Sequence, residues 1–193
     1  MQFEEAGNYI INRLKTELPA HLTYHNADHA VDVRTAAENI AKGENIGDDD
    51  MRLLLTAALY HDSGFLCCAR EHETESCRIA KDALPRYGYS AEDIELICGM
   101  IMATRIPQSP KGLLEQILAD ADLDYLGRDD YFTIAAKLYR ELGLTGVVND
   151  DKTWDELQIQ FIQKHSYFTK TAVNLRQANT ETNIIKIKKA ITK

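Results

Sequence analysis

The sequence has no apolar run long enough to cross a bilayer. Its longest, Leu53–Leu59 and Leu96–Ala103, fall far short of the roughly 20 residues a spanning helix needs. No membrane partner is expected. There is no excess of positive charge either. Twenty-two basic residues face 30 acidic ones, a net charge of −8. A general nucleic-acid binder needs a basic face for the phosphates, so nucleic acid is not an expected partner, although a local basic pocket is still allowed. Cys67, Cys68, Cys77 and Cys98 form no C-x-x-C pair and no zinc-finger spacing. They read as reduced thiols of a cytoplasmic protein. Glu4, Glu5, Arg13, Lys15 and Glu17 interrupt the N-terminal segment, which excludes the apolar core of a signal peptide there. Prolines are few, at 19, 85, 107 and 110, and no long stretch alternates with period two. Extended sheet is therefore not expected.

What remains is helical. Apolar residues recur three and four apart, and predict helices near 3–17, 26–42, 49–62, 72–84, 90–104, 112–125, 129–142, 153–163 and 168–178. With 193 residues, 45% apolar, no repeat and no Gly/Ser linker, the chain can bury one full core. The expected fold is an all-α single-domain helical bundle over residues 1–180. Residues 181–193, with Lys186, Lys188, Lys189 and Lys193 between isoleucines, are expected to be a tail or short extra element. Trp154, Phe161, Tyr167 and Phe168 are expected to pack the last helices onto the bundle, with His165 beside them outside the chemistry. Asp48-Asp49-Asp50 reads as a helix start, and Glu71, Glu73 and Glu75 as a solvated face.

The informative residues are polar ones on apolar stripes. His29 shares a face with Val33, Ala36, Ala37 and Ile40. His61 and Asp62 close a segment that is apolar nearly all round. Asp122 sits in the row Leu114, Leu118, Leu126, and His72 heads the stripe Ser76, Ile79, Ala80 and Ala83. One buried histidine is ordinarily a hydrogen-bonded core residue. Several buried ionisable groups on separate helices need a common partner, because burying charge alone is costly. Two imidazoles and two carboxylates can surround a divalent cation.

Three strings carry a resemblance. Tyr24-His25-Asn26-Ala27-Asp28-His29-Ala30-Val31-Asp32-Val33, then His61-Asp62, then Asp120-Ala121-Asp122-Leu123, resemble in order the H…HD…D pattern of the HD superfamily of metal-dependent phosphohydrolases. The resemblance covers about residues 20–140. It implies that His29, His61, Asp62 and Asp122 are metal ligands. Asp120 is the rival for the last place and otherwise supports the ligands from behind. The first string is most similar to the helix of cyclic-nucleotide phosphodiesterases, which implies that His25 protonates the leaving oxygen. The further histidine of dinuclear members is missing from Ile101–Arg105, so one ion is expected, or two if His72 joins as a ligand. The ion is Mn, Fe, Ni, Co, Zn or Mg. Arg105 and Lys111 rank first for steadying phosphoryl oxygens, ahead of Arg70 and Arg128.

The implied activity is hydrolysis of a phosphate ester of a nucleotide or related small molecule by a metal-activated water, with Asp62 in the catalytic set. Two other readings stand beside it. One is a phosphodiesterase acting on a cyclic or linear nucleotide. The other is a non-catalytic HD-fold module that senses a ligand. A homodimer would be in keeping with such a bundle.

Overall fold

The computed structural model describes residues 1–191. They form α1 (Phe3–Glu17), α2 (Ala27–Gly43), α3 (Asp48–Tyr60), α4 (His72–Ala83), α5 (Ala91–Ala103), α6 (Leu113–Asp122), α7 (Tyr131–Leu144), α8 (Asp151–Lys164) and α9 (Lys170–Ile191). Short 3₁₀ turns lie at Ser63–Leu66, Leu84–Tyr87 and Asp124–Gly127. The fold is all-α, with no strand among the described residues.

Local chemistry sets several of the starts. The Asn26 side chain accepts from the backbone N–H groups of Asp28 and His29, at 2.9 and 3.3 Å. This cap satisfies two donors that the first turn of a helix leaves open, and it sets where His29 enters α2. Ser90 and Asp93 close a reciprocal capping box on α5. Asp48, Asp49 and Asp50 occupy the first turn of α3, as expected of charges facing the positive end of a helix dipole.

The interior has two cores. In the first, α1 to α6 bury mainly Ala, Ile and Leu. Its centre is α3, buried at every position from Leu53 to Tyr60, and α3 and α6 both pack on α2. Truncating a side chain as enclosed as Leu54 costs about 2–5 kcal/mol in such a setting. The second core gathers Leu123, Tyr125, Leu126, Tyr131, Trp154, Ile162 and Ile187 beneath α7, α8 and α9. Here α9 lies on the 124–127 turn. A Cβ on Gly127 would stand 2.4 Å from the carbonyl oxygen of Arg176, so only glycine allows that approach.

The C-terminal segment differs from expectation. Residues 181–191 are no separate tail but the continuation of α9; 192 and 193 lie outside the described residues. Thr180, Asn183 and Ile187 are buried at the spacing of one helix face. Two of the three are polar, so no apolar stripe marks that face in the sequence. Their polar atoms are satisfied: Asn183 donates to the Leu126 carbonyl at 3.0 Å, and Thr180 bonds the Tyr167 hydroxyl at 3.3 Å. Phe168 also departs from expectation. It is exposed, while Trp154 and Tyr167 are buried as expected. The backbone N–H of Phe168 is held by a carboxylate, and that leaves its ring on the outside.

Candidate metal centre

Four of the predicted ligands converge at the junction of α2, the end of α3 and the end of α6. The facing nitrogens of His29 and His61 and an oxygen of Asp122 lie within 4.8 Å of one another. His29 Nε2 is 3.3 Å from Asp122 Oδ1 and 3.5 Å from Asp62 Oδ2. His61 Nε2 is 3.4 and 3.3 Å from the same two oxygens. Neither nitrogen makes a hydrogen bond, although both are buried. On the far side of its ring, His61 Nδ1 is 2.8 Å from the Ala58 carbonyl, which requires a proton on Nδ1 and leaves Nε2 with its lone pair in the neutral ring.

These residues fit a divalent cation. Two imidazole nitrogens without a hydrogen bond face two carboxylates across one small space, with no lysine or arginine among the described partners of either carboxylate. The electrostatics agree. Burial opposes charge on His61, but Asp62 and Asp122 outweigh it and hold the imidazole well above its ordinary pKa. Burial likewise works to raise the Asp122 carboxyl, yet His29 and His61 bring it down to about 2. Asp62 is driven well below its usual range against burial, chiefly by His61 and then His72. Positive charge is wanted between these groups, and a cation supplies it without protons.

Asp62 has a second side. Its other oxygen is 3.3 Å from His72 Nε2, which is also 3.5 Å from Glu73 Oε1. The close approach behind this is made by Gly64, where a Cβ would sit 2.0 Å from the His72 carbonyl oxygen. Phe65 stands between two imidazoles, stacked on His25 and on His72 with ring centres 4.3 Å apart in each case.

His25 is held by a residue the sequence reading missed. Its Nδ1 is bound to Glu141 on α7. The backbone N–H groups of Tyr24 and His25 donate to the second Glu141 oxygen at 2.8 and 3.1 Å. Burial alone would raise the Glu141 carboxyl; the His25 ring and the two N–H groups bring it below its usual value. The test that found Asp122 also finds Glu141, a carboxylate three positions after Leu138 on the inward face of α7.

Other expectations need correction. Asp120 is not brought to the cluster. It is fully buried, and its oxygens accept from the Phe168 and Thr169 backbones at 2.8 Å and from the Thr169 hydroxyl at 2.7 Å. It clamps the segment before α9, because two helical steps turn it about 160° away from Asp122 on the same helix. Glu73 is no solvated group but is buried, between His72 and an Arg105 Nε at 3.3 Å. Arg105 also bonds Thr74 at 2.9 Å and pairs with Glu71 at 3.7 Å. Lys111 is exposed and shares a separate hollow with Arg105. Arg128 is taken by Asp32 at 2.8 Å and Asp130 at 2.6 Å. Arg70 lies exposed.

A cavity of about 250 Å³ opens beside the cluster. His25, Asp62, His72, Glu73 and Asp122 line one end, and α7 and α8 wall the other.

Comparison with known proteins gives a consistent picture. The HD domain family model matches residues 26–124, just over half of the 193. An uncharacterized protein of Clostridium beijerinckii is 31% identical over 104 residues, covering 52% of this chain and 66% of that protein, just under two thirds of its length. A predicted HD superfamily hydrolase from an uncultured Thermotogales bacterium superposes with a TM-score of 0.64 at 19% identity, over 96% of this chain and 91% of that one. A protein of Lactobacillus plantarum superposes with a TM-score of 0.69 at 20% identity, over 99% and 97% of the two chains. These two likenesses concern the fold. The match of the family model, over the stretch that holds all four converging residues, decides the assignment: the chain belongs to the HD domain family.

Proposed function

We propose that this protein is a metal-dependent phosphohydrolase that cleaves a phosphate ester of a nucleotide or related small molecule. The observation that carries the reading is the pair of orphaned nitrogens on His29 and His61, aimed with Asp62 and Asp122 at one point beside a cavity. His29, His61, Asp62 and Asp122 would hold one divalent ion, Mn, Fe, Ni, Co, Zn or Mg. That ion supplies an activated water and polarises a phosphoryl oxygen.

The chain's own groups do the rest. Asp62 and Asp122 orient the two imidazoles and fix the polar end of the cavity. His25 delivers a proton to the leaving alcohol oxygen as the P–O bond breaks and water adds to phosphorus. Glu141 holds the His25 ring by its other nitrogen, so the free nitrogen faces the cavity with one tautomer preferred. Phe65 keeps the His25 and His72 rings apart and parallel to its own. His72 steadies the second oxygen of Asp62, where a second ion would find Asp62, His72 and Glu73.

The test is metal content by elemental analysis together with phosphate release from a panel of monoesters, with Asp62→Ala alongside. The expected result is about one transition metal per chain, and metal-dependent phosphate release that falls at least about a thousandfold in the variant, since metal catalysis is worth several kcal/mol. A monoester product without free phosphate moves the activity to a phosphodiesterase. Binding without any metal-dependent turnover leaves a sensing module.

A further inference from the structure

The cavity beside the cluster has two unlike ends. Its charged lining consists of Asp62, Glu73 and Asp122, with His25 and His72; no lysine or arginine lines it. The neighbouring guanidiniums already face carboxylates: Arg105 bonds Glu73 and Thr74 and pairs with Glu71, and Arg128 bonds Asp32 and Asp130. A cation in the cluster would offset one phosphoryl group. Among the described residues, no lysine or arginine lines the cavity to offset a second or third.

The other end is apolar and aromatic. Tyr125, Tyr131, Trp154 and Phe161 wall it with Leu138 and Leu157. Its polar atoms are few. The Tyr131 hydroxyl donates to Gln158 Oε1 at 2.6 Å, and Gln158 Nε2 donates to Asp155 at 3.2 Å. One amide hydrogen of Gln158, the Trp154 indole N–H and the Tyr125 hydroxyl are what this end offers a polar ligand. A sugar or polyol would lose its water there and regain little. An apolar ring would bury its surface against aromatic faces.

We propose that the substrate is an ester of a single phosphate whose alcohol is apolar and carries a ring, seated between α7 and α8. The proposal rests on the phosphohydrolase reading, keeps its small-molecule phosphate ester and sets the nucleotide aside. Water adds to phosphorus, the alcohol leaves with the proton from His25, and the products are inorganic phosphate and an uncharged alcohol.

The experiment compares kcat/KM of the metal-loaded full chain on 2-phenylethyl phosphate, glycerol 3-phosphate, glucose 6-phosphate, adenosine monophosphate and adenosine triphosphate. The four monoesters are all esters of primary alcohols, so leaving-group reactivity is nearly matched. The phenylethyl ester is expected to lead the two polyol phosphates by about ten- to a hundredfold, the worth of burying a ring. Trp154→Ala should shrink that ratio, and Trp154→Phe should restore most of it. Leu157→Lys adds a cation at a position 38% exposed, where folding is not at stake, and should raise adenosine triphosphate relative to the phenylethyl ester. Equal turnover of all five, or a lead for glucose 6-phosphate or the triphosphate, overturns the proposal and leaves the phosphohydrolase reading standing. Turnover of none, with metal bound, overturns both.

Discussion

Residues up to Asp122 and residues beyond it build different kinds of interior. The first core is made of small and branched aliphatic side chains that bring α2, α3 and α6 close together. Where its stripes carry polar residues, His29, His61, Asp62 and Asp122, these face one another, and the inner nitrogens of the two histidines stay without a hydrogen bond. The second core is richer in aromatic side chains, and several of its buried polar groups close on one another, as Tyr131 does with Gln158, Asn183 with the Leu126 carbonyl, and Asp124 with Arg176. The difference teaches a division of labour. The segment matched by the family model, 26–124, holds the ligand set. The segment after it supplies the orienting Glu141 and the wall of the cavity.

The joint between the two regions offers the largest test. Asp124 is buried, and Arg176 of α9 grips it with two bonds, at 2.6 and 3.1 Å. Arg176→Ala would leave that carboxylate without its main partner, and a loss of about 3 kcal/mol is expected from breaking a buried pair. Urea unfolding should show one transition, shifted as a whole, if the regions form one cooperative unit. Two transitions, with metal retained through the first, would mean that the ligand-bearing core stands alone.

Glu141→Gln sharpens the division itself. Metal content should not change, because Glu141 touches His25 and not the four converging ligands. Turnover should fall about ten- to a hundredfold, as when a group orienting a catalytic residue is replaced. Loss of metal in this variant would break the comparison, since the second region would then be supporting the ligands.

The smallest effect concerns His165, an exception to local closure in the second region. Its Nε2 is buried without a partner. Burial pushes its pKa down to about 4, against a weaker pull from Asp122. The folded value lies below the unfolded one, about 6.5, so the unfolded chain takes up the proton first. The stability contribution is complete above about pH 6.5 and is lost as pH falls toward 4, costing about 1 kcal/mol by pH 5.5. His165→Phe should remove that part of the pH dependence between pH 7.5 and 5.5. An unchanged slope would place the imidazole in contact with water.

Much of the first region was legible. The expected helices 3–17, 26–42 and 72–84 match α1, α2 and α4 to within a residue at each end, because each is an apolar stripe bounded by a cap, a proline or a glycine. Asp122 could be preferred over Asp120 because residues two apart on a helix point about 160° apart, and only Asp122 falls in the Leu114–Leu118–Leu126 row. The second region was less legible. The end of α9 carries polar residues on its buried face, so its stripe could not be seen. Glu73, on the buried face of α4, read as one of three solvated acids. Glu141 obeyed the stripe rule, but its partner is 116 residues away, and no local pattern joins them.

Periodicity along one chain, by itself, determined the all-α fold and which residues share a helix face, and so marked His29, His61, Asp62 and Asp122 as polar groups on apolar stripes; their proposed role as ligands came from the resemblance of the strings that hold them. Which faces meet was decided only by packing. The pairing of His25 with Glu141, the turning of Asp120 to the 168–169 backbone, the commitment of Arg105 and Arg128 to carboxylates, and the apolar cavity between α7 and α8 all belong to that second kind. The reason is physical: a helical repeat is set by bonds between neighbours a few residues apart, whereas a site between helices is set by the fit of side chains that the sequence keeps far apart.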